Sequence, residues 1–166
     1  PPDCFLQASA EAETIVRELV LAGVGKARGI TDLYCGVGTF TFALAKQARV
    51  HAVDGDATAI AALRRADATV ATQTRDLDRR PLTVAELDRF DAVVFDPPYA
   101  GAAMQARELA RSAVERIVAV SCNPASFARD ARTLVDGGYR LTRVVPVDQF
   151  VWSAEVELVA WFERRS

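Results

Sequence analysis

The sequence predicts an α/β fold, a doubly wound and mostly parallel sheet that ends in an antiparallel hairpin. Three observations predict it. From residue 29 to residue 135, short apolar runs alternate with stretches of helical spacing, the signature of βα units around a parallel sheet. The turn Cys35-Gly36-Val37-Gly38-Thr39 joins the first such run to a helical stretch, at a place where backbone must approach a ligand closely. After Gly137-Gly138, two Val-rich runs follow one another with no helical stretch between them, which reads as a hairpin closing the sheet edge.

The elements follow in order. Over residues 8–22, Ile15, Val16, Leu19 and Val20 recur at helical spacing, and Gly23 and Gly25 act as C-terminal breakers. Strands are expected near 29–34, 50–53, 69–72, 92–95 and 116–121. Helices follow near 39–47, 57–66, 83–89, 103–114 and 124–135, and the hairpin pairs 140–147 with 154–162. There is no internal repeat and no low-complexity tract.

Composition bounds the rest. The 166 residues, 51% hydrophobic and 25% charged, suffice for one domain, 1–166, with one sizeable core. No apolar run approaches the roughly 18–20 residues a membrane span needs, and no basic segment followed by an apolar one opens the chain. A soluble, cytoplasmic, monomeric chain without membrane contact is expected. The only methionine is Met104 and the chain opens at Pro1-Pro2-Asp3, which points to a C-terminal piece of a longer protein whose upstream modules hold the substrate. Cys4, Cys35 and Cys122 form no CxxC pair, so neither a disulfide framework nor a metal site is expected. With His51 as the single histidine, catalysis has to use carboxylates or a thiol. The net charge of -2 and pI near 5.5 show no basic excess of the kind an independent nucleic-acid-binding domain carries.

A dinucleotide site would want a third glycine at position 41, where Thr41 stands, so a pyrophosphate cradle is disfavoured and a nucleoside-bearing cofactor remains. Asp54, ending the second strand, is placed to accept hydrogen bonds from ribose hydroxyls, and Asp76, after the third, to meet an adenine edge. Phe95-Asp96-Pro97-Pro98-Tyr99 follows the fourth strand, and its paired prolines stiffen backbone where a flipped-out base would be held. Ser121-Cys122-Asn123-Pro124 ends the fifth strand. Asn123 is a favoured N-cap and Pro124 a favoured first helical residue, so the Cys122 thiol lies just before a helix N-terminus, where partial positive charge favours thiolate. Cys4 and Cys35 read as buried filler.

Leu33-Tyr34-Cys35-Gly36-Val37-Gly38-Thr39-Phe40, Asp96-Pro97-Pro98, Ser121-Cys122-Asn123-Pro124 and Phe150…Glu155-Val156-Glu157 resemble, in order, the RNA 5-methyluridine methyltransferases. The resemblance spans nearly the whole chain. It implies a class I, Rossmann-like fold, S-adenosyl-L-methionine as cofactor and RNA as substrate, ribosomal rather than transfer. By the same resemblance Gln7, Tyr34, Thr39, Asp54, Asp76 and Asp96 fall on cofactor-contacting positions beside Gly36, Cys122 on the nucleophile and Glu157 on the general base. Tyr99 stands where the family usually has arginine, Glu155 where it commonly has histidine, and Val151-Trp152 where it commonly has proline and another residue.

The chemistry needs such groups. C5 of uracil is a poor nucleophile, and a thiolate adding at C6 activates it; a base must then remove the C5 proton. Partial burial beside Trp152 and Phe150 would raise the Glu157 carboxyl toward the working range. Two other readings stay open at this point. Asp96-Pro97-Pro98-Tyr99 also resembles the motif of enzymes that methylate amino groups (N6 of adenine or N2 of guanine), and the fold is compatible with a non-catalytic RNA-binding module.

Overall fold

The computed structural model describes the backbone of residues 2–148 and 156–165, and the side chains from Ala10 onward within those ranges. Helix α1 (Pro2–Val24) leads into β1 (Gly29–Leu33), α2 (Thr41–Ala45), β2 (Arg49–Asp54), α3 (Ala57–Ala66), β3 (Ala71–Thr74), α4 (Val84–Leu87), β4 (Ala92–Phe95), α5 (Ala103–Arg111), β5 (Arg116–Ser121), α6 (Pro124–Asp136), β6 (Tyr139–Asp148) and β7 (Val156–Arg164). The strands form one sheet of order β3-β2-β1-β4-β5-β7-β6. β1 to β5 pair in parallel; β7 runs antiparallel to both β5 and β6.

Alternation along the central strands divides the core into two layers. Ile30, Val50, Ala52, Val94, Val118 and Val120 face α1, α2 and α3. Leu33, Val53, Val93, Phe95, Ile117 and Ala119 face the side covered by α4, α5 and α6. Every residue of β1 and β4 is buried; β4 reads as a continuous apolar run, whereas β1 carries Thr31 and Asp32 into the core. The hairpin is expected to close the sheet, and it does so by inserting β7 between β5 and β6.

Several boundaries differ from the sequence reading for visible reasons. α1 continues through Gly23, which is no breaker: a Cβ there would lie 2.6 Å from Trp161 Nε1 and from Val118. Gly25, with φ +59, ends the helix instead. β3 starts two residues later than expected, because Asp67 accepts hydrogen bonds from the amide and hydroxyl of Thr69 and holds that stretch in a turn. α2 and α4 are shorter. α4 is closed at its start by a capping box of Thr83 and Glu86. Ala154 and Glu155, the first two residues of the expected last strand, lie outside the described residues.

Candidate active site

At the carboxyl end of β1 the chain turns through three left-handed residues, Tyr34 (φ 59), Gly36 (φ 54) and Gly38 (φ 99), Tyr34 being the one non-glycine with positive φ among the described residues. Gly38 needs to be glycine twice over, since a Cβ would also lie 2.7 Å from the Phe42 ring. Asp54 stitches this turn to the end of β2: its Oδ2 accepts the Gly36 amide and its Oδ1 the Asp56 amide, each at 2.8 Å. Each oxygen keeps acceptor capacity for a ligand hydroxyl. Beneath the turn, Asp32 is fully buried. Thr41 donates to its Oδ2 at 2.6 Å, and its Oδ1 has no hydrogen-bond partner among the described residues. Burial pushes this carboxyl up to about 7, against the Thr41 hydrogen bond.

An open cleft of about 430 Å³ is lined by Tyr34, Asp54, Gly55, Asp76, Leu77, Asp78, Asp96 and Pro98. Four of these are carboxylates and none is basic. Such a wall repels phosphate and suits a ligand carrying hydroxyl donors and positive charge. Tyr34 donates to Asp78 Oδ1 at 3.1 Å, and burial together with the Asp78 charge pushes its hydroxyl up. Asp76 Oδ1 accepts the amides of Asp78 and Arg79, so this acid also shapes its own turn. The loop behind it is tied down by Arg75, which makes a two-point contact with Glu86 at 2.7 and 3.2 Å and donates to the carbonyls of Arg80 and Pro81.

Asp96 closes the cleft toward β5. Burial, then the charges of Glu157 and Asp32, push its carboxyl up to about 7. Cys122 follows β5 and is exposed. Asn123 caps α6 as its sequence predicts, accepting the Ala125 amide at 3.0 Å. Glu157, half-buried and raised by that burial, comes from β7. The β5–β7 ladder ends at the pair Ser121–Leu158; one step further along the same register stand Cys122 and Glu157.

Tyr34, Asp54, Asp76 and Asp96 therefore share one cleft, with Gly36 bound to its wall through Asp54. Thr39 is exposed in a neighbouring depression with Val37, Phe42 and Arg17. The side chains of Gln7 and Cys4, and residues Phe150, Val151, Trp152 and Glu155, lie outside the described residues. Cys35 is buried. Asp32, Thr41 and Asp78 escaped the sequence reading. The signal for Asp32 was an acid inside a strand whose other neighbours demand burial; Asp78 offered only its spacing from Asp76. Among the described residues no cluster of His, Cys, Asp and Glu is placed to hold a metal ion, and no helix is long and apolar enough to cross a membrane.

Sheet order, the glycine turn and an acid-walled cleft at the carboxyl ends of the strands define a class I methyltransferase fold. More narrowly, the chain belongs to the tRNA (uracil-5-)-methyltransferase family, whose model matches residues 1–165. It is 57% identical over 166 residues to an uncharacterized RNA methyltransferase of Brucella melitensis, covering 96% of this chain and 40% of that protein. It is 39% identical to the 23S rRNA (uracil(1939)-C(5))-methyltransferase RlmD of Pseudomonas entomophila, covering 98% of this chain and 38% of that one. Among solved structures it resembles the Pyrococcus abyssi tRNA (uracil-54, C5)-methyltransferase in complex with S-adenosyl-L-homocysteine, at 35% identity and TM-score 0.75, covering 93% of this chain and 38% of the other. The chain thus spans about 40% of the length of the curated relatives it matches.

Proposed function

We propose that this chain is the S-adenosyl-L-methionine-binding catalytic domain, the C-terminal part of a longer cytoplasmic protein, of an enzyme that methylates C5 of a uridine in RNA. The observation that carries the proposal is that Cys122 and Glu157 stand opposite one another, one register step beyond the last β5–β7 pair, beside the Asp96 wall of the cleft. The acid-lined cleft fits the cofactor's ribose hydroxyls and its positive charge, with Tyr34, Gly36, Asp54, Asp76 and Asp96 in direct reach. Gln7 and Thr39 complete the assignment by family resemblance. When bound, the cofactor supplies a methyl group made electrophilic by its sulfonium.

Each residue's part follows from its chemistry. The Cys122 thiolate adds to C6 of the uracil, and the C5–C6 π electrons move toward O4, leaving a nucleophilic C5. C5 accepts the methyl group. The Glu157 carboxylate then takes the C5 proton, the C5–C6 double bond re-forms and the C6–S bond breaks, releasing Cys122 as thiolate. A carboxyl raised by burial takes up a proton more readily than a solvated one, which suits Glu157 to this task. Asp96 aligns the ring with the methyl group. Ribosomal RNA is the favoured substrate, supported by the 39% identity to a 23S rRNA enzyme, and the protein acts as a monomer whose upstream modules hold the RNA.

The test uses the full-length protein and RNA carrying 5-fluorouridine, whose fluorine cannot leave as a proton. A denaturant-stable protein–RNA adduct is expected with the wild type and none with Cys122→Ala. With ordinary RNA, Glu157→Gln is expected to accumulate a methylated adduct that cannot eliminate. An undiminished adduct from Cys122→Ala, or nucleoside analysis showing amino-group methylation, would falsify the assignment.

A further inference from the structure

Two loops frame the reacting side of the site, and one helix holds both. In the loop after Asp96, the Tyr99 carbonyl accepts hydrogen bonds from Asn123 Nδ2 at 2.9 Å and Ser126 Oγ at 3.1 Å. The Ala100 carbonyl accepts from Arg129 Nη2 at 2.9 Å, and the Ala102 amide donates to Asp130 Oδ2 at 2.7 Å. All four side chains belong to α6 or its cap, the element that begins directly behind Cys122.

An ion pair, Arg129 with Asp130, stands at the centre. Asp130 is only 3% exposed, and a carboxylate so deep is costly unless it is paired and hydrogen-bonded. Its compensation is Arg129, whose Nε and Nη2 lie 3.0 and 2.9 Å from Asp130 Oδ1. Gly101 shows how closely the loop is drawn onto this pair. It has φ +81, and a Cβ there would lie 2.5 Å from Arg129 Nη2 and 2.7 Å from Asp130 Oδ2. The loop backbone closes on the ions with no room for any side chain.

We infer that Arg129 and Asp130 are positioning residues, which lock the segment 97–102 to α6 and so fix the distance between Asp96 and the Cys122 sulfur. The inference rests on the uracil-C5 reading: a ring aligned by Asp96 presents C6 to sulfur only if the two loops keep one register. Misplacement of reacting groups by about 1 Å costs on the order of 100-fold in rate. A charged pair saturated by loop backbone holds that register more tightly than apolar packing, which tolerates sliding. A surface arginine near an RNA site is a candidate phosphate contact, but Arg129 commits its Nε and Nη2 inward.

The experiment measures adduct formation on 5-fluorouridine RNA by the full-length protein, wild type against Arg129→Ala, Arg129→Lys and Gly101→Ala. Arg129→Ala leaves the buried Asp130 carboxylate without its cation, so urea unfolding is measured beside the rates and every variant is assayed where it is fully folded. Arg129→Ala is expected to slow the adduct at saturating RNA by about 100-fold. Affinities for S-adenosyl-L-homocysteine and RNA should change by less than about threefold, and the salt dependence of RNA binding should keep its slope. Gly101→Ala should reproduce the loss, Arg129→Lys should recover part of it, and amide exchange at 99–102 should quicken in Arg129→Ala. A saturating rate equal to wild type overturns the inference, as does a loss confined to weaker RNA binding with a shallower salt slope, the mark of a phosphate contact. A wild type that forms no adduct overturns the uracil-C5 reading itself, and the positioning role with it.

Discussion

Thr41 stands where a dinucleotide fold would place its third glycine, and its hydroxyl serves the fully buried Asp32 instead. Removing that donor leaves the carboxylate with no hydrogen bond from any described residue on either oxygen. Thr41→Val is therefore expected to destabilise the fold by about 1–3 kcal/mol, more at pH 8 than at pH 5, because the ionised carboxylate needs the donor most. Urea denaturation at the two pH values checks this, and equal losses would contradict it. The pairing also shows what a sequence conceals. Asp54, Asp76, Asp96 and Cys122 could be singled out because each lies at or just beyond the carboxyl end of a strand or sits in a motif whose chemistry names it, whereas Glu157 was nominated by family resemblance alone. Asp32 and Thr41 are nine residues apart, on a strand and on a helix, and only the crossing of those elements reveals them as partners.

At the level of elements, strands buried on both faces were the most legible: β4 and β5 match their expected limits, since continuous apolar runs have sharp polar ends. Short elements set by turns were less so, because Asp67 and Phe40 shift β3 and α2 through local hydrogen bonding and turn geometry that apolar spacing does not encode. The glycine in α1 was misread for a related reason, since its role is tertiary. Trp161 of β7 donates to the Leu19 carbonyl at 3.1 Å, and Gly23 leaves the room that lets the indole lie against α1. Gly23→Ala is expected to cost about 1–3 kcal/mol through overpacking at the α1–β7 contact. Thermal and urea unfolding measure it. A stability equal to or above wild type, as a simple gain in helix propensity would produce, would show that the contact yields freely.

Taken as a whole the molecule carries two opposed sets of acids. Asp32 and Asp96 are raised to about 7 by burial, and Glu157 is raised as well. A carboxyl whose folded value lies above its unfolded value of about 4 contributes most to stability below that value, and the contribution is lost as pH rises through about 7. For fully buried Asp32 the span is on the order of 4 kcal/mol. Glu86, held down to about 2 chiefly by Arg75, acts in the other direction: its contribution is present above about pH 4 and lost as pH falls through about 2. His51, lowered chiefly by burial, opposes the raised acids near pH 6, one group against three. Stability is therefore expected to fall between about pH 4.5 and 7.5, and Asp96→Asn to flatten part of that fall. Urea midpoints across this range decide it, and a rising profile would refute it.

The insertion of β7 between β5 and β6 has a consequence for how the molecule is born. As the ribosome delivers the chain, β6 emerges with no neighbour to join, since its place in the sheet depends on a strand still to come. On the proposed mechanism, a chain translated only as far as β6 holds Asp54, Asp76, Asp96 and Cys122 but not yet Glu157. The same strand therefore completes both the sheet and the proposed pair of reacting groups.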